Sequence, residues 1–441
     1  MVISIILLGE PPVKNKKIND YIVFWLSQSV SQLGSSMTSF ALIIWAYKQT
    51  NSAMSVSLLT FFSYMPYILF SIFAGAFVDN HNKRSIMLWT DSIACICSIA
   101  TLGLLYIGKL EIWHIYIVNA IIGLMNAFQN PASTVTIGIL VPKEKYAKIS
   151  GMNSFSNSLI TVITPMFAAS ISSFWGLKGV FFIDLVTFCF SFVFLLFFIK
   201  IPEPNRFSKS NKKQSVFSSC KEGFNFLFQH KGLLYIIISM ALLNFYSRLT
   251  YENILPAMIL SRSGGNNNVL GVVSGVVGFG GILGGIFVSV VDLPKDNLKL
   301  IYFSAAFSFL FGDLLMGLGQ NIFIWILAAI GASVPIPFIT AGQNVILYNT
   351  IPTEIQGRVF AVRNALQYFT IPIGTLLGGA LADYVFEPFM KTQNQLSYIL
   401  HMIVGNGDGS GMSVMFLCTG VLGFISSAIF YKNKQIRNLL K

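Results

Sequence analysis

Charge is scarce in this chain. Only 10% of its 441 residues are Asp, Glu, Lys or Arg, against roughly 25% in a soluble domain, which excludes water as the main solvent. No interval between its apolar runs is long enough to hold a soluble domain. Cysteine is limited to Cys95, Cys97, Cys189, Cys220 and Cys418. These lie mostly inside apolar runs, without metal-ligand or disulfide-framework spacing, and read as packing residues. His81, His114, His230 and His401 are scattered, and no aspartate-rich motif accompanies them, which argues against a membrane-embedded transferase or sensor built on metal or acid–base chemistry. The loops carry no nucleotide-binding signature, which excludes a self-contained ATP pump. The Gly405-Asn-Gly-Asp-Gly-Ser-Gly411 stretch lacks the ligand count of a calcium loop. No enzymatic activity, cofactor or metal is expected.

Apolar residues, by contrast, make up 54% of the chain. Runs long enough to cross a hydrocarbon core of about 30 Å recur from Tyr21 almost to the C-terminus. They predict an all-α integral membrane protein with helices near 21–47, 52–78, 85–107, 112–140, 146–174, 177–199, 231–260, 268–291, 298–319, 321–350, 357–386 and 411–431. Helices are required because lipid offers an open backbone no hydrogen-bond partner, and runs of roughly 20 residues are too long for barrel strands. The apolar Met1–Leu8 precedes Lys14, Lys16 and Lys17, the reverse of a secretory signal, so no cleaved leader is expected. A surface-lying tail and an early start codon both remain open for it.

A net charge of +12 raises the question of nucleic acid, and the positions of the cations answer it. Twenty-three of the 29 basic residues fall on one side of the predicted spans, five (Lys48, Lys109, Lys178, Arg262, Lys391) on the other, and Arg248 within a span. Arg363 is counted here with the first group. Basic loops stay cytoplasmic, so both termini are expected inside, with a cytoplasmic N-terminal tail at 1–20 and a C-terminal tail at 432–441. The polar linker 200–230 divides the spans into an N-terminal bundle, 21–199, and a C-terminal bundle, 231–431. The far loop, 387–411, contains an apolar stretch, 396–404, that fits a short interfacial helix.

The two halves repeat. Val141-Pro-Lys-Glu144 follows helix 4 and Ile351-Pro-Thr-Glu354 follows helix 10. Each is succeeded by a helix with an internal proline, Pro165 or Pro372, and small residues after it: Ala168-Ala169-Ser170, and Gly374 with Gly378-Gly379-Ala380. Parallel duplication is one way to build a rocking transporter with its site between the halves. Between helices 2 and 3 stands Gly75-Ala-Phe-Val-Asp79-Asn-His-Asn-Lys83-Arg84. Gly75 permits close helix approach, and Asp79 can face the positive end of a neighbouring helix, plausibly helix 11, forming a conformational latch. Lys83 and Arg84 serve either that latch or topology alone.

On these residues the chain resembles the major facilitator superfamily, specifically its drug:proton antiporter branch that includes the macrolide efflux proteins. Gly75, Asp79, Lys83 and Arg84 match the family's loop signature, with Asn80 and Asn82 departing from it. Thr164-Pro165-Met-Phe-Ala168-Ala169 is similar to its antiporter signature with small residues in place of glycines, although Pro165 with small neighbours also suits ordinary packing. The arginine usual in the family's helix 4 is missing, which leaves proton coupling to other residues. The resemblance implies two pseudo-symmetric six-helix bundles of the major facilitator fold. It implies a monomeric secondary active transporter that exports amphipathic drug-like compounds, macrolide-type or multidrug, across the plasma membrane by proton-coupled alternating access. Its partners would be a small-molecule substrate, protons and the bilayer, with no nucleic acid. Import or export of another small solute is the alternative.

By the same resemblance helices 1, 4, 7 and 10 line the cavity. Polar residues gather on them: Gln28 and Gln32 on helix 1, Asn126 and Gln129 on helix 4, Asn244 on helix 7, Gln343 and Asn344 on helix 10. Solute binding and interhelical hydrogen bonding explain such stripes equally. Arg248 and Glu252 are four apart and share a helix face as an ion pair, serving gating, substrate charge or proton exchange, or else snorkelling to the interface. Asp91, Asp184 and Asp313, on supporting helices, are expected to be structurally paired. Asp383, near the outer end of helix 11, is expected to reach water.

Overall fold

The structure, a computed structural model, describes residues 12–140, 146–198, 224–290, 294 and 296–438. Its N-terminal half comprises α1 (Pro12–Thr50), α2 (Ala53–Asn80), α3 (Lys83–Ile107), α4 (Ile112–Leu140), α5 (Tyr146–Phe174) and α6 (Gly176–Val193, extended by a π-helical turn, Phe194–Phe198). The C-terminal half comprises α7 (Lys231–Thr250, resuming as Ile254–Arg262), α8 (Asn267–Val290) and α9 (Asn297–Phe307, a π turn Ser308–Asp313, then Leu314–Leu318). It continues with α10 (Ile322–Ser333, resuming as Ile336–Thr350), α11 (Thr353–Leu381, then a π turn Ala382–Phe386) and α12 (Ser410–Lys432). Eleven of these are long and apolar enough to cross a membrane. The twelfth is α1, whose serine and glutamine stripe lowers its hydropathy. The short helix Gln395–Val404 fills the expected place in the far loop, with Leu396, Tyr398, Ile399, Met402 and Ile403 exposed.

Twelve crossings put both chain ends on one face, here called the terminal face; the other is the far face. α1 starts at Pro12, inside the expected tail, and α11 starts at Thr353 rather than 357. Residues 224–229 are helical, and Leu227 is fully buried in the C-terminal core with Leu233 and Ile236. The last turn of the expected linker therefore belongs to the second half. The linker's residues 200–223 and the Val141–Glu144 repeat lie outside the described residues.

The expected continuous helix 7 is interrupted at Tyr251, Glu252 and Asn253. Pro256 explains the break: it has no N–H for the Glu252 carbonyl, and its ring clashes with a continuous helix. Pro337 does the same to α10 after Ser333.

Between helices in lipid there is no hydrophobic driving force, so close packing of small residues and interhelical hydrogen bonds carry the assembly. Asp184, 5% exposed, accepts from Ser35 Oγ at 3.1 Å and Ser98 Oγ at 3.3 Å, tying α6 to α1 and α3. Asp91 accepts from Gln129 Nε2 at 3.0 Å across α3 and α4, and Asp313 accepts from Thr419 Oγ1 at 2.8 Å across α9 and α12. The structural pairing expected for all three is present. Replacing Asp184 with alanine removes two interhelical bonds, each worth roughly 0.6–1.7 kcal/mol in a membrane. A loss of about 1–3 kcal/mol is expected, read as a lower thermal-unfolding midpoint in detergent.

The halves meet in two pseudo-symmetric crossings, α5 on α8 and α2 on α11. A Cβ on Gly271 would stand 2.7 Å from Ala169 Cβ and 2.9 Å from the Pro165 carbonyl oxygen, and one on Gly379 would stand 2.1 Å from Ser57 Oγ. Of the small residues beside the prolines, Ala169 and Gly379 therefore serve contact between the halves, while Gly374 and Gly378 pack on α7 of their own half. Near the far face one apolar cluster joins Ile44, Tyr47 and Val56 to Ile254, Met258 and Phe416. Toward the terminal face, among the described residues, the clusters around Phe24 and around Ile236 each belong to a single half. Among the described residues the halves are thus joined by a shared apolar cluster at the far face and by none toward the terminal one.

Candidate functional site

Beneath that roof the described residues line two cavities. The larger, about 690 Å³, is bounded mainly by α7, α9, α10 and α11, with Phe40 and Ile43 of α1 and Thr161 of α5. The smaller, about 420 Å³, lies among α1, α2 and α4 and is lined by Ser39, Ser63, Tyr64, Asn119 and Asn126. Ile43 and Glu252 line both. Glu252 is therefore the acidic group at the boundary between the halves' two chambers.

The break in α7 explains how one short segment reaches three places. A continuous helix would spread consecutive side chains at about 100° steps around one axis, whereas the open turn aims each independently. Tyr251 packs edge-on against Phe416, ring centroids 5.4 Å apart, and lines the larger chamber with Asp313. Glu252 forms an ion pair with Arg248, the two side chains being 28% and 30% exposed to the cavity. Asn253, fully buried, donates to the Thr375 carbonyl at 3.0 Å and to Ser57 Oγ of the opposite half.

The roof is completed by Asp383, which does not simply reach water. Its carboxylate accepts from Ala53 N at 3.0 Å, Met54 N at 2.9 Å and the Ser52 hydroxyl. These are the unpaired donors at the start of α2, where the helix dipole also favours an anion. Asp383 lies in a π turn of α11, so this is a cap supplied by one half to a helix of the other.

Of the residues expected in the cavity, Asn244 and Gln343 line the larger chamber and Asn126 the smaller. Gln32 is exposed, two helical turns from the cavity-lining Ser39 on the same face of α1. Gln28 and Gln129 line neither chamber. Gln28 donates to Ser191 Oγ at 2.9 Å, and Gln129 bonds Asp91 and Thr90, so both lie in a network inside the N-terminal half. Asn344 and Gln343 accept from Arg363 at 3.4 and 3.3 Å. Arg363 is not a loop residue: it is ten positions into α11, about 15 Å along the axis, and lines the larger chamber.

The loop motif divides. Arg84 donates to the carbonyls of Leu195, at 3.1 Å, and Leu196, binding the end of α6 within its own half. Lys83 opens α3. The surroundings of Gly75, the side chain of Asp79 and those of residues 353–358 at the start of α11, which Asp79 would face, lie outside what is described. Pro165 and Pro372 both lie inside their helices, with Pro372 two residues before the cavity-side Gly374, whose Cβ would stand 2.8 Å from Arg248 Cβ.

The Major Facilitator Superfamily model matches residues 24–375. Macrolide efflux protein A of Streptococcus pyogenes is 26% identical over 375 residues, covering 84% of this chain and 91% of that protein. Multidrug resistance protein MdtG of Proteus mirabilis is 25% identical over 348 residues, covering 76% and 81%. Among solved structures, an inward-facing, unoccupied bacterial homolog of the human lysosomal transporter Spinster gives a TM-score of 0.67 at 15% identity over 98% of both chains. The nucleoside transporter NupG gives 0.62 at 15% identity, over 93% of this chain and all of that one. The family model spans most of the chain, and the fold is two six-helix halves around a central cavity: this protein belongs to the Major Facilitator Superfamily and is a multi-pass membrane transporter.

Proposed function

We propose that the protein is a secondary active exporter of amphipathic, drug-like molecules, of macrolide or multidrug type, working by proton-coupled alternating access. The observation that carries the reading is the position of Glu252: an acid bordering both chambers, paired with Arg248, and adjacent in sequence to the residue that holds the roof. Protonating Glu252 weakens its hold on Arg248 in a site of reduced dielectric. A change of charge there is transmitted through the same three-residue turn to the contact between halves.

The chamber volumes suit a drug-sized ligand, and the walls mix Phe40, Ile43, Tyr64 and Phe309 with amides, the chemistry an amphipathic solute requires. The names of the macrolide efflux and multidrug relatives support the same class. With the cation-rich loops held inside, the terminal face is cytoplasmic and the arrangement described is open inward. The halves 21–199 and 231–431 then rock about the linker 200–230, as a plasma-membrane monomer.

Expression in a drug-susceptible bacterium tests this. Resistance to macrolides or lipophilic drugs is expected to rise with the native chain and not with Glu252→Gln. Unchanged resistance across a broad panel, with growth gained on a new nutrient, overturns the export reading in favour of solute import.

A further inference from the structure

We propose that the two chambers divide the substrate between them: the smaller one, in the N-terminal half, takes an uncharged, polyhydroxylated group such as a sugar, and the larger one takes the apolar body joined to it. The inference rests on the drug-exporter reading above, whose binding site it divides.

Apart from Ile43 and Leu59, every described residue lining the smaller chamber carries a hydrogen-bonding side chain. On α2 these are Thr60, Ser63, Tyr64 and Tyr67, and on α4 they are Asn119, Asn126 and Asn130. Spacings of three, four and seven residues place each set in one stripe along its helix. Gly123 brings the two helices together beside the stripes, since it leaves no room for a Cβ against the Ser63 carbonyl. Tyr67 and Asn126 each stand fourteen positions from the far-face start of their helix, about 21 Å along the axis. They are therefore level with one another.

Other amides of this half are spent on packing. Gln28 and Gln129 bond Ser191 and Asp91, and Asn119 donates to the Leu59 carbonyl at 3.3 Å, the interhelical use that lipid favours. Among the described residues, the side chains of Tyr64, Tyr67, Asn126 and Asn130 have no hydrogen bond of that kind. Asn126 and Asn130 are exposed, and polar groups within a bilayer are tolerated where they face a water-filled cavity. Each amide thus offers two donors and two lone pairs to whatever enters. Hydroxyls, which donate and accept at once, are the complement of such a surface, and the negative faces of the tyrosine rings suit the C–H side of a sugar ring. Among the described residues no Lys, Arg or His lines this chamber, and Glu252 stands at its boundary. A phosphate or carboxylate would enter it without a counter-charge. The larger chamber has the opposite character, with apolar walls from Phe40, Met240, Leu243, Phe309, Ile336 and Ile371. Because Ile43 and Glu252 line both chambers, one ligand can occupy the two together.

The test measures equilibrium binding to the full chain in lipid nanodiscs, with no gradient imposed. One pair of radiolabelled probes is erythromycin, a lactone bearing sugars, and its sugar-free lactone; a second is butyl glucoside and butanol. The native chain is expected to bind the sugar-bearing member of each pair at least about tenfold more tightly. Asn126→Leu is expected to erase most of that preference, with a much smaller loss for the sugar-free members and the thermal midpoint retained. Tyr67→Phe, which removes only a hydroxyl, is expected to narrow it in the same sense, and it decides alone if Asn126→Leu lowers the midpoint. Equal binding of both members of each pair by the native chain overturns the proposal, as does a loss in the variants shared equally by both members, which marks a structural role. Binding of butyl glucoside over butanol without binding of erythromycin or its lactone overturns the drug-exporter reading and keeps the sugar subsite; binding of no probe overturns both.

Discussion

Asp383→Ala is expected to shift the protein toward a state open at the far face. The carboxylate satisfies Ala53 N, Met54 N and the Ser52 hydroxyl only while the halves are closed there. A hydrogen bond to a charged group is worth about 1.5–3 kcal/mol, so losing this cap favours opening by roughly ten- to a hundredfold. A cysteine at Ser39, in the N-terminal chamber, on a background without native cysteines, reports the shift: an impermeant maleimide applied from the far face should label it faster by that factor. Gly379→Leu provides an independent check, because its side chain would enter the space held by Ser57. Unaltered labelling in both variants would sink the idea that these contacts hold the roof.

Glu252→Gln should abolish pH-gradient-driven export, with a loss on the order of a hundredfold. It should also destabilise the fold, since the Arg248 guanidinium then lacks its carboxylate. The pair is about one-third exposed, so the cost lies between that of surface and buried pairs, about 1–3 kcal/mol. The double variant Arg248→Gln, Glu252→Gln separates the two effects. Removing both charges should restore most of the thermal midpoint, because no lone charge remains, yet transport should stay uncoupled. If the double variant regained gradient-driven export, the pair would be a packing element and nothing more.

Much of the fold was legible because lipid imposes a single demand, uninterrupted apolar helices, and hydropathy reports it directly. The twelve spans, the far-loop helix and the pairing of Asp91, Asp184 and Asp313 follow from it. The site was less legible. Gln28 and Gln32 are one turn apart on α1, yet one lies in a network with Ser191 while the other is exposed on the cavity-side face. Which neighbour each side chain meets depends on how the helix is rotated against its partners, and no single sequence carries that angle. Arg363 already falls within the expected span 357–386 although it is grouped with the loop cations; its place against Gln343 and Asn344 in the cavity depends on how α11 packs on α10. The consequence of the break in α7, three adjacent side chains sent to Phe416, Arg248 and Ser57, exists only in three dimensions. Asp383 was missed for the same reason: Ser52 reads as a helix cap, and nothing local announces a second cap arriving from α11.

The π turn Ala382–Phe386 has an effect on register that outlasts its five residues. An α-helix advances its side chains by about 100° per residue, and a turn closed over an additional residue offsets everything beyond it. The carboxyl of Asp383 points to α2 at the turn itself, and Glu387, just past it, receives the Met412 amide at 2.9 Å. One surplus residue thus orients two carboxyls toward different helices, so a change of a single residue in the length of this segment would disturb both attachments at once.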